Sequence, residues 1–413
     1  MTRRVVITGM GTVSPLGLNV KDTWDSCING RSGVGRITLF DTNGWLVQIG
    51  AELKGFDPAN YMDAKEARRR DRFEQMAVAA AKEALADSGL TITEANAGRI
   101  GVFVASAVGG MQAQQDAVDL MRASGPRRVS PFTIPMMMPN GASGVIAIDT
   151  RIKGPAMCVT SACAAGADSI GVAAMMIRAG RIDATLAGGA EASIVAVGIA
   201  AFDRLGALSR HNDDWSMTPQ PFDKNRDGLV PGEGAAVVML EELEHAKARG
   251  ANIFAELIGY GATGDAFHIT APEEQGSGAA AAMRQALDDA RLNIGDVDYI
   301  NAHGTATNLN DMTETRAIKL AFGEKAYEIP VSSTKSMTGH MIAATGALEV
   351  IFCALAIRDG VVPPTIHYQT PDPECDLDYV PNTAREKKVN VAMTNAFGFG
   401  GHNAVLVVKR FSS

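Results

Sequence analysis

The sequence repeats one helical segment 180 residues further along the chain. Residues 164–167 (AAGA) return as 344–347 (ATGA), and residues 177–180 (IRAG) return as 357–360 (IRDG). Each copy predicts an apolar helix that opens with small residues and ends at a glycine. A chance likeness between two alanine-rich helices is the alternative. If the repeat is real, the chain consists of two related halves, which we place at residues 1–250 and 251–413.

The rest of the pattern indicates an α/β protein. With 413 residues, the chain exceeds the roughly 250–300 residues at which single cores stop growing. Glycines that follow apolar runs, at Gly9, Gly11, Gly188 and Gly189, predict turns after strands. Strands that alternate with helices predict mostly buried sheets. The predicted strands are 5–8, 100–105, 184–187 and 235–241, and a helix is predicted at 73–88.

Charge and cysteine content narrow the function classes. A net charge of −8, from 38 Lys+Arg against 46 Asp+Glu, argues against an overall grip on nucleic acid or anionic lipid. The five cysteines are an odd number without paired spacing, which favours a reducing compartment. Residues 5–16 lack the apolar core of a signal peptide, and the longest uncharged apolar run, 192–202, is too short to cross a bilayer. We therefore expect a cytoplasmic protein that does not bind a membrane.

One cysteine lies in a setting suited to a nucleophile. Cys163 follows the small hydroxylated residues Thr160 and Ser161 and opens the first copy of the repeated helix. A helix N-terminus stabilises thiolate and lowers the pKa of a cysteine from about 8.5. The alternative is that Cys163 is a small core residue, as most free cysteines are. The small neighbours favour the first interpretation because they let a substrate approach the sulfur.

Two histidines are candidate partners of this cysteine. His303 follows the apolar run 297–300, and His340 leads into the second copy of the repeated helix. If the halves pack about a pseudo-twofold axis, Cys163 at one helix start faces His340 at the other. Each histidine taken alone also fits a buried structural role. Together with the cysteine they predict an activated nucleophile with two proton-handling or hydrogen-bonding groups.

A glycine-rich segment near the C-terminus is a candidate oxyanion site. Residues 395–403 hold three glycines and two aromatics. Glycines allow a backbone N–H to approach a ligand closely, and an N–H aimed at developing negative charge stabilises it. An ordinary connection between two strands is the alternative.

The seven histidines have no zinc-type spacing, and Ser14 interrupts a dinucleotide fingerprint after Gly9 and Gly11, so we expect neither a metal nor a bound cofactor.

Taken together, these motifs resemble the β-ketoacyl-[acyl carrier protein] synthases, most closely the elongating synthase II group. The resemblance spans nearly the whole chain. It implies a thiolase-like α/β fold, with two duplicated halves in a five-layer α-β-α-β-α arrangement, working as a homodimer. The motifs that carry it are TSACAAG at 160–166, PFDKNRDG at 221–228, NAHGTAT at 301–307, SSTKSMTGH at 332–340 and NAFGFGG at 395–401.

The resemblance also implies a reaction. Cys163 takes an acyl group from an acyl carrier protein, and malonyl-acyl carrier protein then loses carbon dioxide and attacks the acyl-enzyme. The product is a 3-oxoacyl chain two carbons longer. His303 and His340 correspond to the residues that stabilise the enolate in this family. No cofactor is implied, because the substrates are carried on the phosphopantetheine arm of acyl carrier protein.

Supporting roles follow from the same likeness. The family pattern implies an ion pair of Lys335 with Glu314 and a buried carboxylate at Glu349. The backbone N–H groups of Cys163 and Phe399 correspond to the oxyanion hole. The remaining implied residues are the gate at Phe399 and Gly400, the pantetheine-binding Thr305 and Thr307, the acyl-pocket residues Val108, Thr133 and Ile134, and the carrier-docking residues Lys65, Arg68, Arg69, Arg127, Arg128 and Arg204.

Three functions remain open on the sequence. The first is an elongating ketosynthase of fatty acid synthesis. The second is a ketosynthase of a type II polyketide or secondary-lipid pathway, which uses the same residues. The third is a non-catalytic chain-length-factor subunit, against which the presence of Cys163 argues. One departure concerns docking, because Gly206 stands where synthase II usually has an arginine, and Arg204 lies nearby.

Overall fold

The computed structural model describes residues 3–412 of the chain. Its strands are β1 (Val5–Val13), β2 (Gly35–Arg36), β3 (Ile49–Gly50), β4 (Ile100–Ala105), β5 (Ala156–Met157), β6 (Ala184–Ala192), β7 (Glu233–Glu242), β8 (Ala255–Gly264), β9 (Tyr299–Asn301), β10 (Val331–Ser332), β11 (Val361–Val362), β12 (Arg385–Glu386), β13 (Val391–Gly398) and β14 (His402–Lys409). Its α-helices are α1 (Val20–Ile28), α2 (Ala64–Ala67), α3 (Arg72–Ser88), α4 (Met111–Ser124), α5 (Thr133–Met137), α6 (Gly141–Thr150), α7 (Ala165–Arg178), α8 (Ala196–Arg204), α9 (Leu243–Ala248), α10 (Ser277–Ala290), α11 (Asn308–Phe322), α12 (Lys335–Thr338) and α13 (Ala343–Asp359).

The strand order repeats within the main sheet. Across residues 3–412, ten strands follow the order β10-β9-β13-β14-β8-β1-β7-β6-β4-β5. The strands before β8 form one block and the strands from β8 onward form the other, and both blocks have the same internal order. In each block the three outer strands run parallel, and the remaining neighbours are antiparallel. The blocks join where β1 pairs with β8. The order mirrored about this junction agrees with a duplicated fold.

Helices lie on both sides of the two blocks and between them. Helix α3 packs on β1, β6 and β7, and α10 packs on β8 and β14, so these helices form the outer layers. Helices α7 and α13 contact each other and strands of both blocks, so they form the central layer. The result is the five-layer α-β-α-β-α arrangement of the thiolase-like fold. The fold class predicted from the sequence is confirmed.

The two copies of the repeated segment are the central helices. Helix α7 is followed by Gly180 and α13 by Gly360, each with a positive φ, of 70° and 66°. The helices cross where small residues let their backbones meet. A Cβ atom added at Gly166 would lie 2.2 Å from the carbonyl oxygen of Ala343, and one added at Gly346 would lie 3.1 Å from the nitrogen of Ala167. Close packing of the two helix starts therefore requires glycine at position 166, whereas a Cβ at position 346 would require its neighbours to shift by a few tenths of an ångström.

The predicted turns at two glycine pairs are wrong, because the strands continue through them. Strand β1 runs through Gly9 and Gly11 to residue 13, and β6 runs through Gly188 and Gly189 to residue 192. A Cβ at Gly9 or Gly11 would lie 2.2 or 2.0 Å from a carbonyl oxygen of α3. A Cβ at Gly188 would lie 2.0 Å from a carbonyl oxygen of β7. These glycines allow the extended strands β1 and β6 to pass close to the backbones of α3 and β7.

Other sequence predictions agree with the structure. The strand predicted at 100–105 is β4, and the helix predicted at 73–88 is α3, which begins one residue earlier. The division predicted after residue 250 falls between α9 and β8 and stays a prediction. Within residues 3–412, no helix is long and apolar enough to cross a membrane.

Candidate active site

The proposed nucleophile lies in a tight turn at the start of a central helix. Cys163 is in a 3-10 turn over residues 162–164 that leads directly into α7, and its side chain is 8% exposed. Ala162 has a φ of 52°, a left-handed conformation that is strained for alanine. Cys163 lines the cavity described below. This is the placement expected from the sequence.

The protonation of Cys163 differs from the sequence expectation. Burial raises the pKa of Cys163 to about 11, although the charge of Lys335 and backbone N–H groups of Phe399 and Cys163 lower it. The sequence predicted a lowered pKa from the helix start alone. That prediction is wrong for the free protein, because removing the thiolate from water outweighs the stabilising groups.

The two histidines come from loops that follow short elements of the second half. His303 lies two residues after β9, and its backbone N–H donates to Glu314. His340 lies two residues after α12, and its N–H donates 2.7 Å to the carbonyl of Val230. The imidazole rings meet edge to face with centroids 5.4 Å apart. His303 also lies 5.6 Å from the ring of Phe397, measured between centroids.

Both imidazoles are held in the uncharged form. Burial lowers the pKa of His303 and His340 well below 6.5, and the charge of Lys335 lowers both further. Nδ1 of His340 lies 3.2 Å from Oγ1 of Thr345, while its Nε2 has no hydrogen-bond partner. A neutral imidazole can donate one hydrogen bond to a substrate without carrying a positive charge. Two such donors suit an oxygen that becomes negative during a reaction.

The buried ion pair differs from the one that the resemblance implied. Nζ of Lys335 lies 2.6 Å from Oε1 of Glu349, and each side chain is 1% exposed. Glu314 instead accepts from the N–H groups of His303 and Gly304, at 2.8 and 2.7 Å. The expected Lys335–Glu314 pair is therefore corrected to Lys335–Glu349. Glu314 fixes the loop of His303 because its carboxylate satisfies two consecutive backbone donors.

The glycine-rich segment forms the tip of a hairpin. Strands β13 and β14 are joined through Phe399, Gly400 and Gly401, and both of these glycines have positive φ values, 88° and 73°. The backbone N–H of Phe399 lowers the pKa of the Cys163 thiol. A Cβ at Gly398 would lie 3.1 Å from the nitrogen of Cys163. The hairpin thus brings a second N–H donor toward the sulfur.

One cavity of about 300 Å³ brings the predicted residues together. It is lined by Cys163, His303, His340, Glu314 and Phe399, with residues from both halves of the chain. Thr305 and Thr307 also line it, and their hydroxyl oxygens are 3.0 Å apart. Lys335 and Glu349 lie behind this lining. Among the described residues, no group of three or more His, Cys, Asp or Glu side chains is arranged to hold a metal ion.

The predicted acyl-pocket residues lie outside this cavity. Val108 follows β4 and is 42% exposed, and Ile134 in α5 is 64% exposed. Thr133 begins the same helix. The loop of Val108 and helix α5 are neighbours, because the N–H of Gly110 donates to the carbonyl of Met137. Within one chain, these residues are not part of the lining of the cavity that contains Cys163.

The predicted carrier-docking residues lie at three places on the surface. Lys65 and Arg68 are exposed in and after α2, and the guanidinium of Arg69 lies 4.6 Å from the ring centroid of Phe132. Arg204 ends α8 beside Leu205, which lines the cavity. Arg127 and Arg128 are exposed in a 3-10 turn after α4.

Some cavity residues were missed by the sequence analysis. Asp265, Thr270 and Pro272 line the cavity from the connection between β8 and α10. Nothing in their local pattern marks them, because their position depends on the contact between this connection and the hairpin tip, where Gly400 N donates to Ile269 O. Asp168, which lies outside the lining of this cavity, was also passed over, although a carboxylate in a largely apolar helix is a readable signal.

A helix-start cysteine, two uncharged histidines and a duplicated five-layer fold together define a thiolase-like condensing enzyme. The family descriptions "Beta-ketoacyl synthase, N-terminal domain" and "Beta-ketoacyl synthase, C-terminal domain" match residues 2–246 and 254–369. The chain belongs to the β-ketoacyl synthase family, whose members are acyltransferases of the condensing type.

Relatives are similar over their full length. A 3-oxoacyl-[acyl-carrier-protein] synthase 2 of Staphylococcus aureus is 51% identical over 411 residues, covering 100% of this chain and 99% of the relative. The solved ishigamide ketosynthase/chain length factor has a TM-score of 0.93 at 39% identity, with 100% of both chains covered. A type II polyketide ketosynthase, solved with its acyl-carrier protein and bound to the hexaketide, has a TM-score of 0.92 at 35% identity, again over 100% of both chains.

Proposed function

We propose that the protein is a 3-oxoacyl-[acyl carrier protein] synthase that elongates fatty acyl chains by two carbons. The observation that carries this proposal is the convergence of Cys163, His303, His340 and the N–H of Phe399 on one cavity. The 51% identity to a synthase 2 over the whole chain supports the same activity.

The first half-reaction is acyl transfer to Cys163. The thiolate attacks the thioester carbonyl carbon of an acyl carrier protein, and the carbonyl oxygen becomes an oxyanion. The N–H groups of Cys163 and Phe399 donate to this oxygen. The carbon–sulfur bond to the pantetheine arm then breaks, and the proton of the Cys163 thiol ends on the departing pantetheine sulfur. The positive charge of Lys335 favours the thiolate against the burial that raises its pKa.

The second half-reaction is decarboxylative condensation. Malonyl-acyl carrier protein loses carbon dioxide, and the electron pair of the broken bond forms an enolate whose oxygen accepts from His303 and His340. Both imidazoles are neutral, and each stabilises the enolate oxygen by donating one N–H. The enolate carbon attacks the acyl carbonyl, and the thiolate of Cys163 leaves. The product is a 3-oxoacyl thioester, and the reaction requires no bound cofactor or metal.

The substrates arrive on acyl carrier protein at the mouth of this cavity. Thr305 and Thr307 line the cavity with adjacent hydroxyl groups, which suits the amide-rich pantetheine arm. Arg204, exposed beside the cavity-lining Leu205, suits an acidic carrier protein. Lys65, Arg68, Arg69, Arg127 and Arg128 form the remainder of the proposed docking surface. Phe399 is the proposed gate between the arm and the acyl pocket.

The working unit is a homodimer. Strand β5 ends the main sheet, and its Met157 is 47% exposed. An exposed apolar edge strand is commonly covered by a partner. Val108 and Ile134 are also exposed apolar residues, so a second copy that covers them would complete an acyl pocket that one chain leaves open. We place the enzyme in the cytoplasm and assign residues 1–250 and 251–413 as the two halves that build the site.

A second candidate is a ketosynthase of a type II polyketide pathway. The two solved ketosynthases named above favour it, since one was solved as a ketosynthase/chain length factor and the other with a hexaketide. A non-catalytic subunit is less favoured because Cys163 is present. Product analysis distinguishes the first two, since elongation gives a single 3-oxo group per round and polyketide synthesis gives several unreduced keto groups in one chain.

The decisive experiment is intact-mass analysis after incubation with acyl-acyl carrier protein. We expect one acyl adduct on the parent protein and on the Cys158→Ala variant, and none on the Cys163→Ala variant. Cys158 is a suitable control because it is a half-buried thiol only five positions away. No adduct on the unmodified chain, or an adduct that persists in Cys163→Ala, contradicts the proposal.

A further inference from the structure

A carboxylate behind the nucleophile joins three parts of the fold. Asp168, in the first turn of α7, accepts 2.6 Å from the hydroxyl of Tyr260 on β8. Its other oxygen accepts from the hydroxyl of Ser161, which stands two residues before Cys163. Ser161 and Asp168 are each 8% exposed. The carboxylate therefore ties the turn of the nucleophile to a strand of the second half.

The proposed reaction does not use these three side chains. Ser161, Asp168 and Tyr260 are absent from the lining of the catalytic cavity. Their arrangement is nevertheless specific, because a Cβ added at Gly171 would lie 2.4 Å from the ring of Tyr260. Gly171 is one helical turn after Asp168, on the same face of α7. The ring therefore reaches Asp168 only because glycine leaves room for it.

Ser161 is also the point at which the nucleophile turn meets the glycine hairpin. Its carbonyl accepts from the N–H of Ala164, which closes the turn. A Cβ added at Gly398 would lie 2.7 Å from that carbonyl oxygen. Between Ser161 and Cys163 stands Ala162, in its strained conformation with a φ of 52°. A strained backbone conformation persists only where its surroundings fix it. The hydrogen bond that Ser161 donates to Asp168 helps to fix the conformation of Ala162.

We infer that Asp168, fixed by Tyr260, is a positioning residue that acts through Ser161 to keep the nucleophile turn and the glycine hairpin in register. In that register the backbone N–H groups of Cys163 and Phe399 lower the pKa of the Cys163 thiol. Loss of the hydrogen bond between Ser161 and Asp168 lets the turn relax, and the thiolate loses part of this stabilisation. This inference deepens the proposed function, since it concerns how the same cysteine is kept reactive.

The test is the pH dependence of alkylation of Cys163 by iodoacetamide, followed by mass spectrometry in a Cys158→Ala background. Asp168→Ala is expected to raise the apparent pKa of Cys163 by about one unit, which lowers the alkylation rate at pH 8 by about tenfold. Tyr260→Phe is expected to lower the rate by about threefold. Asp168→Asn keeps a side chain that can bond both hydroxyls, so it is expected to stay within about threefold of the parent.

The control is Glu83→Ala, which removes a half-buried carboxylate elsewhere in the fold. Glu83 accepts 2.8 and 2.9 Å from the N–H groups of Thr12 and Val20, away from the cavity. It is expected to lower the melting temperature and leave the alkylation profile unchanged. A parent-like profile in both Asp168→Ala and Tyr260→Phe overturns the inference, as does equal slowing in Asp168→Asn and Asp168→Ala.

Two further measurements keep the outcome decisive. If Asp168→Ala does not fold, Ser161→Ala takes its place, with an expected threefold loss of rate, and a parent-like rate there overturns the inference. Acyl transfer from acyl-acyl carrier protein is measured on the same variants. If the parent takes no acyl group, the proposed function fails, but alkylation still decides the role of Asp168.

Discussion

Replacing Lys335 by methionine is expected to destabilise the fold, more strongly as the pH rises. Lys335 and Glu349 form a buried pair, with 2.6 Å between Nζ and Oε1 and 1% exposure of each side chain. Methionine fills most of the space of the lysine stem but leaves the carboxylate without a cation. Breaking a buried pair by removing one partner costs about 3–5 kcal/mol. This is a large share of the roughly 5–15 kcal/mol that stabilise a typical native fold.

The pH dependence follows from the carboxyl group that remains. Burial raises the pKa of Glu349 to about 7, and Lys335 opposes that rise. Without Lys335 the folded-state pKa rises further, while the unfolded chain keeps its ordinary value. A carboxyl whose pKa is raised in the folded state lowers the stability of the fold as the pH increases from its unfolded-state pKa to its folded-state pKa. Each additional unit costs about 1.4 kcal/mol once the pH exceeds the new pKa. Below about pH 7 the carboxyl lowers the stability of both proteins equally, so the deficit of the variant relative to the parent grows from about pH 7 upward.

The assay is urea unfolding at pH 6 and pH 8.5, followed by tryptophan fluorescence at one protein concentration. The double variant Lys335→Met/Glu349→Gln is expected to recover most of the lost free energy of unfolding, because it leaves no buried charge. Lys21→Met is the control, since Lys21 pairs with Asp25 on the surface, where their side chains are 81% and 50% exposed. This variant is expected to have the same free energy of unfolding as the parent. An equal deficit of Lys335→Met at both pH values, or no recovery in the double variant, refutes the reasoning.

Other parts of the structure lead to further predictions. Gly166→Ala is expected to lower the free energy of unfolding by about 1–3 kcal/mol, because its Cβ would lie 2.2 Å from the carbonyl oxygen of Ala343, and urea unfolding checks this. The imidazole NMR signals of His303 and His340 are expected not to titrate near the usual pKa, because burial lowers both pKa values well below 6.5, and a midpoint close to that value for either contradicts the assignment. His303→Ala and His340→Ala are expected to keep acyl transfer but to release carbon dioxide from the malonyl substrate about 10²-fold more slowly, and unchanged release of labelled carbon dioxide in both argues against their role. Glu314→Gln is expected to cost about 1–3 kcal/mol, because one of two buried N–H donors loses its carboxylate oxygen, and thermal unfolding measures it.

The duplicated fold was predictable because its signal is a pattern of small residues. The repeated segments mark the two central helices, and the close crossing at Gly166 explains why the pattern persists. The cysteine and the histidines were also accessible, since each stands beside a predicted element boundary. These features depend on local sequence, where the spacing of residue types decides the structure.

Other features depend on contacts that the sequence does not display. Gly9 and Gly11 resemble a turn, but they lie in a strand because the backbone of α3 needs their space. The partner of Lys335 is Glu349, and the choice over Glu314 depends on how α12 and α13 meet. Three-dimensional packing decides both, and a single sequence records only its result.

Duplication of the scaffold did not duplicate its chemistry. With the spacing of 180 residues, the counterpart of Cys163 in the second half is Ala343. Ala343 is fully buried, and its carbonyl oxygen lies where a Cβ at Gly166 or Gly189 would be placed. The position in the second half that corresponds to Cys163 therefore packs against the start of α7 and has no room for a thioester. The stoichiometry that follows is one acyl group per chain, however symmetric the scaffold.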